Sequence, residues 1–99
     1  MLRDPIAISS LRRRMVDEAM DAYVDWREEC VRVSDAYDRW LTAVRADAGL
    51  AFRAYTAALD REERASEVYA ELIRRLELML GAARQGRSRM EEVRSADDG

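Results

Sequence analysis

Asp21-Ala22-Tyr23-Val24-Asp25-Trp26 returns fourteen residues later as Asp35-Ala36-Tyr37-Asp38-Arg39-Trp40. Fourteen residues are two heptads, so on a helix wound at 3.5 residues per turn both Tyr-x-x-Trp pairs share one face. Working outward from the repeat, Val16, Ala19, Tyr23, Trp26, Cys30, Val33, Tyr37, Trp40 and Val44 keep one register. From Ala19 onward its intervals alternate between four and three. That periodicity predicts an amphipathic helix, with Met20 and Leu41 widening the apolar stripe on one side. Pro5 closes any helical tendency before it, and Ser9 or Ser10 is placed to cap the helix start.

A second register runs through Phe52, Tyr55, Leu59, Glu62, Ser66, Tyr69, Ile73, Leu76 and Leu80, widened by Ala51, Ala58, Ala65 and Leu72. Between the registers the phase slips, because Val44 and Phe52 stand eight residues apart where the heptad demands seven. The slip falls at Asp47-Ala48-Gly49. A glycine in the left-handed conformation is a common helix terminator, and Asp47 is suited to cap a second helix. The expected fold is therefore all-α: a long antiparallel hairpin with helices at about 10–46 and 50–83 and a turn at 47–49. A short arm (1–9) stands before it and a flexible polar tail (84–99) after it. Two other arrangements fit the same pattern. One is a single long helix with a stutter at the slip. The other is a break at Asp60-Arg61-Glu62-Glu63, which has the form of a capping box. A hairpin folded at residue 48 sets Trp40 near Ala58, Val44 near Phe52 and Met20 near Leu76. It also sets Glu62 within reach of Arg32 or Arg39.

Composition narrows the function classes. The chain has 99 residues, room for one domain. Its 17 basic residues are all Arg, His is absent, and the net charge is −3. That balance argues against a general nucleic-acid binder, and the one basic run, Arg12-Arg13-Arg14, is followed at once by Asp17 and Glu18. The single Cys30 allows no internal disulfide and reads as a structural thiol on the seam. No run approaches the ~20 apolar residues of a membrane span. No cleavable signal is evident at the N-terminus, so the cytoplasm is the expected location, although export by a route that reads folded helices would leave no such mark.

Catalysis is not expected. Without His the commonest general base and metal ligand is missing, and one Cys cannot supply a zinc site. Two acidic rows, Asp17-Asp21-Asp25 and Glu63-Glu67-Glu71, have the spacing with which facing helices hold Mg²⁺, as in all-α nucleotide pyrophosphohydrolases. Ser66 stands where the Glu-Glu-x-x-Glu pattern of those enzymes needs its third acid. Interleaved arginines make solvated, salt-bridged faces the simpler account. The length, the arginine content and Asp60-Arg61-Glu62-Glu63-Arg64 loosely resemble small all-helical mutases of the chorismate type, though the Lys of their site has no counterpart. No catalytic residue, metal or cofactor is expected.

The aromatic seam is the candidate site. Trp and Tyr at consecutive core positions are too large for a tight two-stranded coil and suit a wider bundle. The stripe covers about three of seven positions, the width used in bundles. The residues expected to form core or interface are Tyr23, Trp26, Cys30, Val33, Tyr37, Trp40 and Val44, faced by Phe52, Tyr55, Leu59, Tyr69, Ile73 and Leu76. The expected partner is a second copy, closing an antiparallel four-helix bundle as a homodimer, or another helical protein; neither nucleic acid nor membrane is expected. In length and outline, with a Trp before the turn, the chain resembles the secreted WXG-type proteins, which implies a small exported helical protein as the alternative. Trp40 is followed by Leu41-Thr42 rather than by their Trp-x-Gly turn, and Ile73 stands where their Tyr-x-x-x-acid signal would place the acid after Tyr69.

Overall fold

The structure, a computed structural model, describes the backbone of residues 5–97 and the side chains of residues 6–82, 84 and 85. It consists of two helices, α1 (Pro5–Thr42) and α2 (Ala48–Asp97), packed against each other as a hairpin. The hairpin is long and one layer thick, with extents of 80 × 28 × 15 Å. A continuous helix with a stutter and a break near residue 60 are both overturned: the chain reverses at residues 43–47, and residues 60–63 lie inside α2. The capping-box residues there come after Ala57-Ala58-Leu59, strong helix formers that leave no end to cap.

The turn comes earlier than the glycine suggested. The Ala43 amide donates to the Trp40 carbonyl at 3.3 Å, a three-residue bond that tightens the end of α1. The Asp47 amide donates to the Val44 carbonyl at 2.8 Å. The Asp47 carbonyl then accepts from Ala51 at 2.9 Å, which places Asp47 at the N-cap of α2. No described residue has a positive φ. Gly49 therefore lies within the first turn of α2 instead of terminating α1; the reversal is made by Arg45-Ala46-Asp47 in ordinary right-handed turn geometry.

The helix ends also differ from the expected bounds. The described part of α1 begins at Pro5, whose fixed φ suits a first helical turn and whose missing N–H costs nothing there. Ser9 and Ser10 are consequently interior helix residues and not caps. Residues 1–4 of the expected arm lie outside the described residues. At the other end the backbone of α2 runs on to Asp97 through the segment expected to be a tail. Ala, Arg, Glu and Met there are good helix formers; the side chains from 86 onward, including Met90 and Val93, lie outside the described residues.

The earlier turn resets the register across the hairpin. Tyr37 meets Tyr55 and Tyr23 meets Tyr69, so the chain folds about residue 46 instead of 48. Trp40 packs on Phe52 and Tyr55, not near Ala58. Trp40, expected against the small Ala58, thus meets aromatic rings instead.

Candidate functional site

The hexapeptide repeat of α1 has a counterpart on α2: Tyr55 and Tyr69 are also fourteen residues apart. Because the helices are antiparallel, the two repeats run in opposite directions and meet twice, about 21 Å apart at 1.5 Å per residue. Each meeting is a three-ring cluster of nearly the same geometry. Near the turn, Tyr37 and Trp40 stand edge to face at 6.1 Å and 69°, Tyr55 stacks on Trp40 at 5.5 Å and 17°, and Tyr37 and Tyr55 lie 5.5 Å apart. In the distal cluster Tyr23 and Trp26 stand at 6.1 Å and 67°, Tyr69 stacks on Trp26 at 5.9 Å and 12°, and Tyr23 and Tyr69 lie 5.5 Å apart. Phe52 extends the first cluster, 5.0 Å from Trp40. Ring pairs in these arrangements contribute about 0.5–1.5 kcal/mol each beyond area burial.

Glu62 sits midway between Tyr55 and Tyr69, one heptad from each, in a row flanked on both sides by aromatics. Its Oε1 accepts a hydrogen bond from the Trp26 indole Nε1 at 2.7 Å, part-buried. This corrects the expectation that Arg32 or Arg39 would neutralise it. Arg32 instead donates to Glu29 Oε1 at 2.6 Å. Glu29 Oε2 lies 3.5 Å from Arg61 Nε across the hairpin, an ion-pair contact without hydrogen-bond geometry. The chain signals that polar partners are needed at both places without naming them. Glu29 interrupts an alanine row, Ala22-x₁₃-Ala36, and a buried indole N–H needs an acceptor.

The two sides of the hairpin differ. In heptad terms, Tyr23, Cys30, Tyr37, Val44 and Phe52, Leu59, Ser66, Ile73 are the a rows, and Trp26, Val33, Trp40 and Tyr55, Glu62, Tyr69, Leu76 the d rows. In an antiparallel pair both a rows lie on one side of the seam. The opposite, g side is where the backbones close up: Ala22 and Ala58 are buried, with Ala36, Ala43, Ala51 and Ala65 half-buried. Near the turn these alanines floor a shallow groove of about 330 Å³, rimmed by Arg39 and Asp47.

The a side is the wet one. Tyr23 (40%), Tyr37 (42%), Phe52 (45%) and Leu59 (37%) remain exposed there, while Cys30 and Ile73 are half-buried. Val44 lies past the end of α1, in the turn, and is 65% exposed. Met20 and Leu41, expected to widen the packed stripe, point out on this side at 59% and 62%; α1 leans toward its alanines and leaves them uncovered. Trp26, Val33, Trp40, Tyr55, Tyr69 and Leu76 are half-buried. Among the described residues only Ala19, Ala22 and Ala58 are buried, so no large side chain is fully covered by the hairpin.

Of the acidic rows only Glu63 borders this face; the others project away from it by heptad position. Asp17, Asp21, Asp25, Glu63 and Glu67 are exposed, and Glu71 is bridged on its own helix by Arg74 at 2.7 Å and Arg75 at 3.3 Å. Among the described residues no group of three or more His, Cys, Asp or Glu side chains converges. None of their helices is long and apolar enough to cross a membrane. Comparison with known proteins finds no match: no family model, no curated protein and no solved structure is similar to the chain.

Proposed function

We propose that the chain is a non-catalytic assembly module, in which two hairpins join through their a sides to form an antiparallel four-helix bundle. The observation that carries this is the exposed aromatic and aliphatic surface of the a side, on a hairpin whose described residues include no fully buried large side chain. Contiguous apolar surface of this kind marks an interaction site. Its size suits a stable interface. From Val16 to the end of α1 at Thr42 the face is about 39 Å long, and two helices 8–10 Å apart present a strip about 20 Å wide, giving roughly 800 Å² a side. Each tyrosine offers a large apolar ring with a polar tip for the rim, the chemistry favoured where interfaces concentrate their energy.

Molar mass by light scattering, over about a hundredfold range of concentration, is the test. A dimer is expected, and the double variant Met20→Glu, Leu41→Glu should be monomeric with unchanged helicity. Both side chains are mostly exposed in the single hairpin, so the substitutions have little to disturb there. A wild-type monomer at every concentration would sink the proposal.

A further inference from the structure

We propose that the two hairpins pair with their turns at the same end, about a two-fold axis running along the bundle, so that α1 of each copy lies on α2 of the other. This rests on the self-association proposed above and adds its geometry. The carrying feature is the charge pattern of the e rows, one step round each helix from the exposed a rows and aimed straight out of the same face. On α1 that row presents Arg13, Met20 and Arg27, with the uncharged Ser34 and Leu41 nearer the turn; on α2 it presents Thr56, Glu63, Ala70 and Glu77, with Arg84 one heptad beyond.

The register sets these residues level. Trp26 donates to Glu62, so their neighbours Arg27 and Glu63 stand at about the same height. Two heptads further from the turn Arg13 and Glu77 are level in turn, with Met20 and Ala70 between. All four charged side chains are exposed, and among the described residues none forms an ion pair within the hairpin.

Two hairpins can stack face to face about two kinds of two-fold axis. An axis across the bundle sets α1 on α1 and α2 on α2, which brings Arg rows against each other and Glu rows likewise. An axis along the bundle sets α1 on the partner's α2. Each Arg27 then meets a Glu63, each Arg13 a Glu77, and Met20 finds a small alanine opposite. The a rows of all four helices point to the middle, where Tyr23, Tyr37, Phe52 and Leu59 close the core. Complementary rows fix the orientation of an association driven by apolar area.

The two geometries predict opposite signs for one substitution. Arg27→Glu turns two equivalent attractions into repulsions and should weaken the dimer about tenfold; the double reversal Arg27→Glu, Glu63→Arg should return it to within about threefold. With α1 on α1, Arg27→Glu relieves repulsion and tightens the dimer, which would overturn the proposal. Nitroxides on Ala46→Cys in a Cys30→Ala background give a second readout. Turns at the same end place the labels about 20–30 Å apart, and turns at opposite ends separate them by more than about 40 Å. A dimer with the long distance sinks the geometry alone; a monomeric wild type sinks the self-association and the geometry with it.

Discussion

At the scale of single residues, Trp26 and Trp40 share their two tyrosine contacts and differ in a third neighbour: Trp40 packs on Phe52, and Trp26 has a polar partner. Each stacks on a tyrosine of α2 and stands edge to face with a tyrosine of α1. Trp26 also donates its indole proton to Glu62; Trp→Phe keeps a ring in both clusters and removes that donor from one. Trp26→Phe leaves a part-buried carboxylate without its donor and should cost about 1–2 kcal/mol more than Trp40→Phe, measured by urea unfolding. Adding Glu62→Leu to Trp26→Phe should recover most of that difference, because removing both polar partners avoids the unmet carboxylate. Equal costs for the two Phe variants would mean the hydrogen bond contributes nothing. The aromatic seam itself was legible from the α1 repeat, since its periodicity is a property of the chain alone. The Trp26–Glu62 contact was not, because it depends on which rung of α2 faces Trp26. A two-residue error in the turn rotates that choice from an indole to an arginine.

At the scale of elements, both helices were visible in the three-four spacing, but their ends were misplaced for a single reason. A glycine is permission to adopt a left-handed conformation, not an instruction, and the hairpin turns within Arg45-Ala46-Asp47 without using it. Pro5 shows the same ambiguity in reverse: it breaks a helix from within and starts one from its first turn. The glycines are therefore open to substitution. A Cβ at Gly49 or Gly81 meets nothing within 4 Å, and neither position has positive φ. Gly81→Ala, well inside α2, should stabilise by about 0.5–1 kcal/mol. Gly49→Ala, in the first turn, should be neutral or gain a few tenths of a kcal/mol. Thermal melts of both variants distinguish this from a left-handed terminator at Gly49, where alanine would be destabilising by more than about 1 kcal/mol. The side that α1 packs with was the other hidden feature. Met20 and Leu41 looked like core by hydrophobicity, yet the smaller Ala22 and Ala36 let the backbones approach and took the contact.

For the whole molecule the decisive fact is thickness. A single layer of two helices, 15 Å deep, has no interior in which a tryptophan can be covered on all sides, so much of what burial could contribute is unrealised in one copy. Fully burying a large apolar side chain is worth about 1.5–3 kcal/mol, and Tyr23, Tyr37, Phe52 and Leu59 each keep more than a third of their surface in water. If a second copy completes these burials, folding and association share one free energy, and stability must obey mass action. The melting temperature should then rise with total chain concentration, by several degrees across about a hundredfold range, and the rise should vanish in the Met20→Glu, Leu41→Glu variant. Raising the salt should lower the dimer's affinity only modestly, since screening touches the Arg27 and Glu63 rim while the aromatic centre is indifferent to it. A melting temperature independent of concentration in the wild type would mean that the hairpin stands alone with its aromatic face open. The occupant of that face would then be a different helix, whose flanking charges should mirror those of the row it covers: acidic against Arg13 and Arg27, basic against Glu63 and Glu77.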